Sequence, residues 1–203
     1  MLDALPFDAA TISVLSAFVQ VLLIEWSPGL RERGAERLRQ KTALPVRWSD
    51  KLNLESMTGC VYSNEFVDAL AVHRVVQRDA GVREIYVSAR GDELALEERE
   101  PSSPAFVDYL ARYGVPLARG QQAEINLAAL AWLEEVARAL GRGFVLTIDY
   151  GYLARELYSP DRPAGTLLGY RKHRVGEEVL AFPGGQDLTA HVNFTALIEH
   201  GRA

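Results

Sequence analysis

Gly143-Phe-Val-Leu-Thr-Ile-Asp-Tyr-Gly-Tyr152 decides how this chain is read. Phe144 to Ile148 run without a charge into Asp149, and Gly151 stands where a sharp turn would need it. A short uncharged run of this kind predicts a strand of a parallel sheet, buried on both faces. Upstream, Leu130, Leu133, Ala137 and Leu140 recur at helical spacing, with Gly141 as a C-terminal stop. Helix, buried strand and terminal carboxylate in that order predict an open α/β sheet, in which ligands bind at the carboxyl ends of the strands.

The same junction recurs outward from this stretch. In Val61-Tyr-Ser-Asn-Glu-Phe-Val-Asp-Ala-Leu-Ala-Val-His-Arg74, the strand Cys60–Tyr62 leads into Ser63, Asn64 and Glu65. Val19 to Ile24 is a third apolar run and ends at Glu25. Ser27 and Pro28 then suit the start of a helix that continues from Leu30 to Gln40. Gly34 weakens that helix by about 1 kcal/mol relative to alanine. Val46–Trp48 is a short strand closed by Asp50. Residues 8–18 read as a helix. Glu84–Ser88 and Glu93–Glu97 alternate about Arg90-Gly-Asp92 as a β-hairpin. Pro101-Ser-Ser-Pro104 is a linker, and Gly151 to Gln186 reads as a loop-like insertion, placed at 151–190, that would cover the active edge as a lid. The order argues for a doubly wound sheet with parallel strands.

The bulk properties narrow the class. At 203 residues the chain suits one domain, with 48% hydrophobic and 24% charged residues. A net charge of -5 argues against a nucleic-acid surface. Cys60 is the only cysteine, which rules out an internal disulfide and fits a reducing compartment. No run approaches the roughly 18 apolar residues of a membrane span. Met1 to Val21 has no basic segment, so neither a signal peptide nor a transit peptide is expected, and the default is cytoplasmic. His73, His173, His191 and His200 lack paired spacing, so no metal is expected.

Four strands therefore end at or near a carboxylate: Glu25, Asp50, Glu65 and Asp149. Each has a bland reading, since an acid before a helix favours the positive end of its dipole. Glu65 and Asp68 are three apart and would share one face of a helical turn. Two carboxylates so placed bind a guanidinium through charge-assisted hydrogen bonds. Asp68 as a helix-solvating charge and His191 as a structural histidine are the alternatives. Arg171-Lys-His-Arg174 reads as a solvated basic face.

Together with Gly165-Thr-Leu-Leu-Gly-Tyr-Arg-Lys-His173 and Gln186-Asp-Leu-Thr-Ala-His-Val-Asn-Phe194, these motifs resemble the MidA-like S-adenosylmethionine-dependent methyltransferases, from about Val21 to His200. That family includes a mitochondrial respiratory complex I assembly factor which methylates a protein arginine. The resemblance implies a Rossmann-like class I methyltransferase fold and S-adenosyl-L-methionine as cofactor. It also implies a protein substrate, with a subunit of a respiratory NADH dehydrogenase as the expected one. It assigns Glu25, Asp50 and Asn64 to the cofactor, with Glu25 on the ribose hydroxyls. By their spacing and charge Glu65 and Asp68 are the catalytic candidates; Asp149, Tyr152 and His191 are candidate substrate contacts, with Asp149 alternatively an orienter of its neighbours.

The chain departs from the family in one respect. Class I methyltransferases hold the cofactor in a glycine-rich loop before the Glu25 strand, and here no glycine precedes Gly29. The expectation is a single partial methyltransferase domain over 1–203, truncated at both ends, that binds the cofactor poorly by itself. A non-catalytic assembly or scaffold protein, and a methyltransferase acting on a small molecule, are the rival readings.

Overall fold

The computed structural model describes residues 19–39, 41–42, 44–171, 174–176 and 178–203. The expected helix over 8–18, and Lys172 and His173 of the basic run, lie outside the described residues. The chain divides into two compact units, Met1–Ser56 and Met57–Ala203.

In the first unit β1 (Val21–Ile24) pairs in parallel with β2 (Val46–Ser49), joined by α1 (Pro28–Arg39). Ser27 caps the helix, its Oγ accepting the Leu30 N–H at 3.3 Å. Gly34 is more than a weak helix former. A Cβ there would come within 2.4 Å of the Trp48 ring, so glycine is what lets helix and strand approach.

The second unit opens with β3 (Met57–Asn64), β4 (His73–Arg78), β5 (Gly81–Arg90) and β6 (Glu93–Arg99). The expected hairpin is β5–β6, turning at Gly91 with φ +62°. It belongs to a four-stranded antiparallel sheet, β6-β5-β4-β7, whose other edge is β7 (Gln122–Ile125). The linker ends where α2 (Ala105–Tyr113) begins. Sequence reasoning missed β4, β7 and α2. Val75 and Val76 are both fully buried, so β4 has no alternation to read. Phe106, Tyr109 and Tyr113 of α2 pack with Val75, Ala123 and Ile125 in the main core.

Next comes α3 (Leu127–Ala139), capped by Asn126, whose side chain accepts the Ala129 N–H at 2.8 Å. Its buried positions are Ala129, Val136 and Ala139, and Ala137 is exposed, so the buried stripe is shifted by one residue from the expected one. Gly141 does not stop the helix. It lies inside β8 (Leu140–Ile148), which runs parallel to β3. The expected double burial of Phe144–Ile148 is also overturned, since Phe144 is 79% exposed and Val145, Leu146 and Ile148 are exposed as well. An apolar run specifies a strand, but burial depends on what covers it.

Beyond β8 the segment read as loop contains regular structure. It holds β9 (Gly151–Tyr152), α4 (Ala154–Leu157), β10 (Leu168–Arg171) and β11 (Arg174–Gly176). Then follow β12 (Asp187–Thr189), β13 (Val192–Asn193) and α5 (Phe194–His200). β11, β10 and β12 form an antiparallel sheet, and β13 pairs in parallel with β9. No helix among the described residues is long and apolar enough to cross a membrane.

Glu84 ties the antiparallel sheet to the segment before α2. Its carboxylate accepts the Ser102 N–H at 2.7 Å and meets His73 Nδ1 at 2.9 Å. Burial alone would raise its pKa, but hydrogen bonds from Tyr86, Ser102 and His73 outweigh burial and hold it at about 2. A folded-state value below the ordinary 4.5 adds stability above that pH, lost as pH falls from about 4.5 to about 2. Glu84→Gln is therefore expected to be less stable than the parent at neutral pH, and the gap should close across that window. Urea denaturation at stepped pH measures it, and a gap independent of pH would disconnect Glu84 ionisation from stability.

Candidate active site

β3 and β8 lie side by side with Asn64 opposite Ile148, so their carboxyl ends coincide. Ser63 Oγ donates to Thr147 Oγ1 at 3.0 Å across the pair, and the Glu65 N–H continues the ladder to Ile148 O at 2.9 Å. There the chain leaves the sheet abruptly, with Glu65 in the left-handed region at φ +46°. An uncommon conformation for a residue other than glycine persists only where surrounding contacts hold it.

Asp149 is one of those contacts. Its Oδ2 accepts the N–H groups of Phe66, Val67 and Asp68 at 3.2, 2.9 and 3.4 Å. Its Oδ1 accepts the Tyr150 N–H at 2.9 Å. Successive main-chain N–H groups converging on one carboxylate form an anion-binding nest. Beneath the turn, Val67 is fully buried with Leu70, Ala129 and Val192. Burying such a side chain contributes about 1.5–3 kcal/mol. Asn126 Nδ2 also donates to Val67 O at 3.1 Å. The segment is a turn and not the expected helical one, yet Glu65 and Asp68 still face one space.

That space is an open cavity of about 580 Å³ lined by Glu65, Asp68, Ala69, Tyr150, Tyr170, Asp187 and Thr189. Glu65 and Asp187 are exposed, whereas Asp68 is only 3% exposed. Asp68 Oδ1 has no hydrogen-bond partner among the described residues. Burial pushes the Asp68 carboxyl up; the Tyr150 hydroxyl bonded to it opposes that rise, and the charge of Asp149 adds to it. Burial and the bond to Asp68 push the Tyr150 phenol up to about 12, which keeps it a donor.

The other expected site residues divide. Asp149 spends both oxygens on the backbone, the orienting role that sequence reasoning held as its alternative. Tyr152 and His191 do not line the cavity. The Tyr152 ring lies 4.2 Å from the Arg162 guanidinium, and the His191 ring is 5.6 Å from Tyr150 and 5.3 Å from Tyr152. Burial, with the Arg162 charge, lowers the His191 pKa and favours the neutral ring. Gly151 makes no left-handed turn. A Cβ there would fall 2.1 Å from Val192 O, so the close β9–β13 pairing is what requires glycine.

Asn64 ends β3, exposed and next to Glu65. Within the first unit, Glu25 and Asp50 follow register partners Ile24 and Ser49 and so share one sheet edge. Glu25 Oε1 accepts the Ser27 N–H at 2.8 Å. A carboxylate at the end of a strand suits a ribose diol, so this position fits a nucleoside cofactor. No cluster of three His, Cys, Asp or Glu residues that could hold a metal ion occurs among the described residues.

Tyr150, Tyr170, Asp187 and Thr189 also line the cavity, and sequence reasoning gave them no role. Asp187 and Thr189 fall on one face of β12, but a strand of three residues shows no period in sequence. Glu124 went unnoticed too. It is buried and accepts from Thr166 N, Thr166 Oγ1 and Leu167 N at 2.9, 3.1 and 3.3 Å, pinning the start of β10 to β7.

Comparison with known proteins places the chain. The sequence model of the family described as "Putative S-adenosyl-L-methionine-dependent methyltransferase" matches residues 1–203. The chain belongs to this family. It is 25% identical over 211 residues to Protein arginine methyltransferase NDUFAF7, mitochondrial, of Xenopus tropicalis, covering 88% of this chain and 45% of that protein. The Rattus norvegicus protein of the same name is 28% identical over 182 residues, covering 82% and 38%. A crystal structure from Burkholderia thailandensis, described as a "likely methyl transferase" bound to S-adenosyl-homocysteine, superposes with a TM-score of 0.83 at 32% identity. That match covers 95% of this chain and 50% of the other. The family and the Rossmann-like α/β fold inferred from the motifs hold. The chain spans less than half the length of these curated relatives.

Replacing Asp149 tests the nest. Asp149→Asn keeps the size but removes the charge that four N–H groups share, and should cost about 2–3 kcal/mol on the scale of charged hydrogen bonds. Chemical denaturation reads the loss, and hydrogen exchange should speed up at Phe66, Val67 and Asp68. Unchanged exchange at those three amides would mean the turn stands without the carboxylate.

Proposed function

We propose that the enzyme transfers a methyl group from S-adenosyl-L-methionine to an arginine side chain of a protein. The observation that carries this reading is the acidic, aromatic cavity at the carboxyl ends of β3 and β8, in a chain whose curated relatives are named protein arginine methyltransferases. A respiratory NADH dehydrogenase subunit as substrate is carried over from the motif resemblance.

Arginine sets the chemical problem. Its pKa above about 12 keeps the guanidinium protonated and non-nucleophilic, so the site must align the group and take a proton from it. The sulfonium cofactor, when bound, supplies an electrophilic methyl group. Glu65 is exposed at the cavity and is the proton acceptor in this reading. Asp68 lines the same cavity and completes the clamp. Holding the nitrogen in line supplies much of the rate. Glu25 takes the ribose hydroxyls and Asp50 the adenine side of the cofactor, from the edge of the β1–β2 pair.

Glu65→Gln keeps size and hydrogen bonding but loses the acceptor. The rate of methyl transfer should fall by about 10²–10⁴-fold with cofactor affinity unchanged, as general-base help is typically worth that much. A normal rate in this variant would remove Glu65 from the mechanism. Mass spectrometry placing the methyl group on lysine or on a carboxylate would discard the arginine assignment.

Glu25→Ala separates the two halves of the reaction. Losing a charged acceptor should weaken cofactor binding by about 1.5–3 kcal/mol in titration calorimetry. Unchanged affinity would leave Glu25 as the local acceptor of the Ser27 N–H and nothing more.

A further inference from the structure

β10 and β12 contribute three residues to the cavity lining. Tyr170 and Asp187 are cross-strand partners, and Thr189 lies two residues beyond Asp187. The pleat therefore puts all three on one face of the small sheet, with Leu188 and Gly169 on the other. All three line the cavity, as does Tyr150, whose phenol interacts with Asp68 and Thr189.

Three carboxylates thus surround one space, and they differ in kind. Glu65 and Asp187 are exposed residues of the cavity lining, from segments far apart in the chain. Asp68 is buried, with Oδ1 unmatched by any donor among the described residues. A buried carboxylate oxygen without a donor is unfavourable, and a group entering from the cavity can supply the missing N–H. Such a group needs donors in several directions and a flat body to lie against the Tyr150 and Tyr170 rings. A guanidinium has five N–H groups in a rigid planar fork, whereas an ammonium is a compact, strongly hydrated point charge.

Building on the arginine reading above, we propose that Asp187 is a specificity-determining carboxylate that makes this cavity select a guanidinium over an ammonium. One edge of the fork meets Glu65, the opposite edge meets Asp187, and the inner N–H reaches Asp68 Oδ1. Sequence reasoning placed the clamp wholly within Glu65 and Asp68. The structure brings a third acid to it from β12.

The probes are the N-acetyl methylamides of arginine, lysine and citrulline, titrated into the chain by calorimetry and by amide chemical shifts. The arginine probe should bind more tightly than lysine or citrulline and should shift the Asp187 and Thr189 amides. Asp187→Asn should weaken arginine binding about tenfold and leave the lysine probe nearly unaffected. Asp187→Glu should recover part of the loss. Asp161→Asn, an exposed acid outside the cavity lining, should change nothing, and thermal melts confirm that each variant folds. Arginine binding that Glu65→Gln weakens and Asp187→Asn does not would overturn the role of Asp187 while leaving the arginine reading standing. Wild-type chain that binds lysine or citrulline as well as arginine, or binds none of the three, would overturn both.

Discussion

The carboxylate of Asp149 is the constraint on which the second unit's cavity depends. Four main-chain N–H groups close on its two oxygens, three of them from the turn after β3. Val67 and Asp68 are buried where the chain leaves the sheet, and their N–H groups need such an acceptor. One acid at the end of one strand thereby fixes the path of the chain at the end of its neighbour. Glu65 is held in a left-handed conformation, and Asp68 is turned down beside Tyr150. The anion that organises the site is spent on the protein itself, and the acids left to face the cavity are others.

Sequence alone showed the parts of this arrangement that rest on a local pattern. The strand ending at Asp149, the strand entering Ser63-Asn64-Glu65, the helix after Ser27 and the β5–β6 hairpin each carry their own period or cap. Motif resemblance added the family, which neither period nor composition reaches. Asp149 also shows the limit of such reading. A carboxylate after a strand looks the same in sequence whether it meets a ligand or its own backbone, and only the three converging N–H groups decide.

The missed elements share a physical cause. Val75 and Val76 are buried on both faces of β4, and polar Arg74 and Gln77 flank them, so the strand presents no alternation. β12 is three residues long, too short for a period, and its partner β10 precedes it by a long excursion. Asp187 acquires its significance from the register that sets it opposite Tyr170. Register across a sheet is a tertiary property. The exposure of Phe144 to Ile148 is the converse case, where apolar character was read as burial although it specifies only a strand.

The segment carrying β10, β11 and β12 is fastened at both feet. Thr166 and Leu167 hang on Glu124 at one end, and the Ala190 N–H meets Asp68 O at 3.0 Å at the other. The feet are tied to each other through the His191 N–H and Thr166 Oγ1 at 3.1 Å. An excursion anchored in this way can be lengthened, shortened or rewritten at its far end without loosening its base. Tyr170 and Asp187 stand just inside the anchors, so selection could exchange them to alter which side chains are accepted while the turn bearing Glu65 stays as it is. The anchors thus keep the turn that bears Glu65 structurally independent of the far end of the excursion.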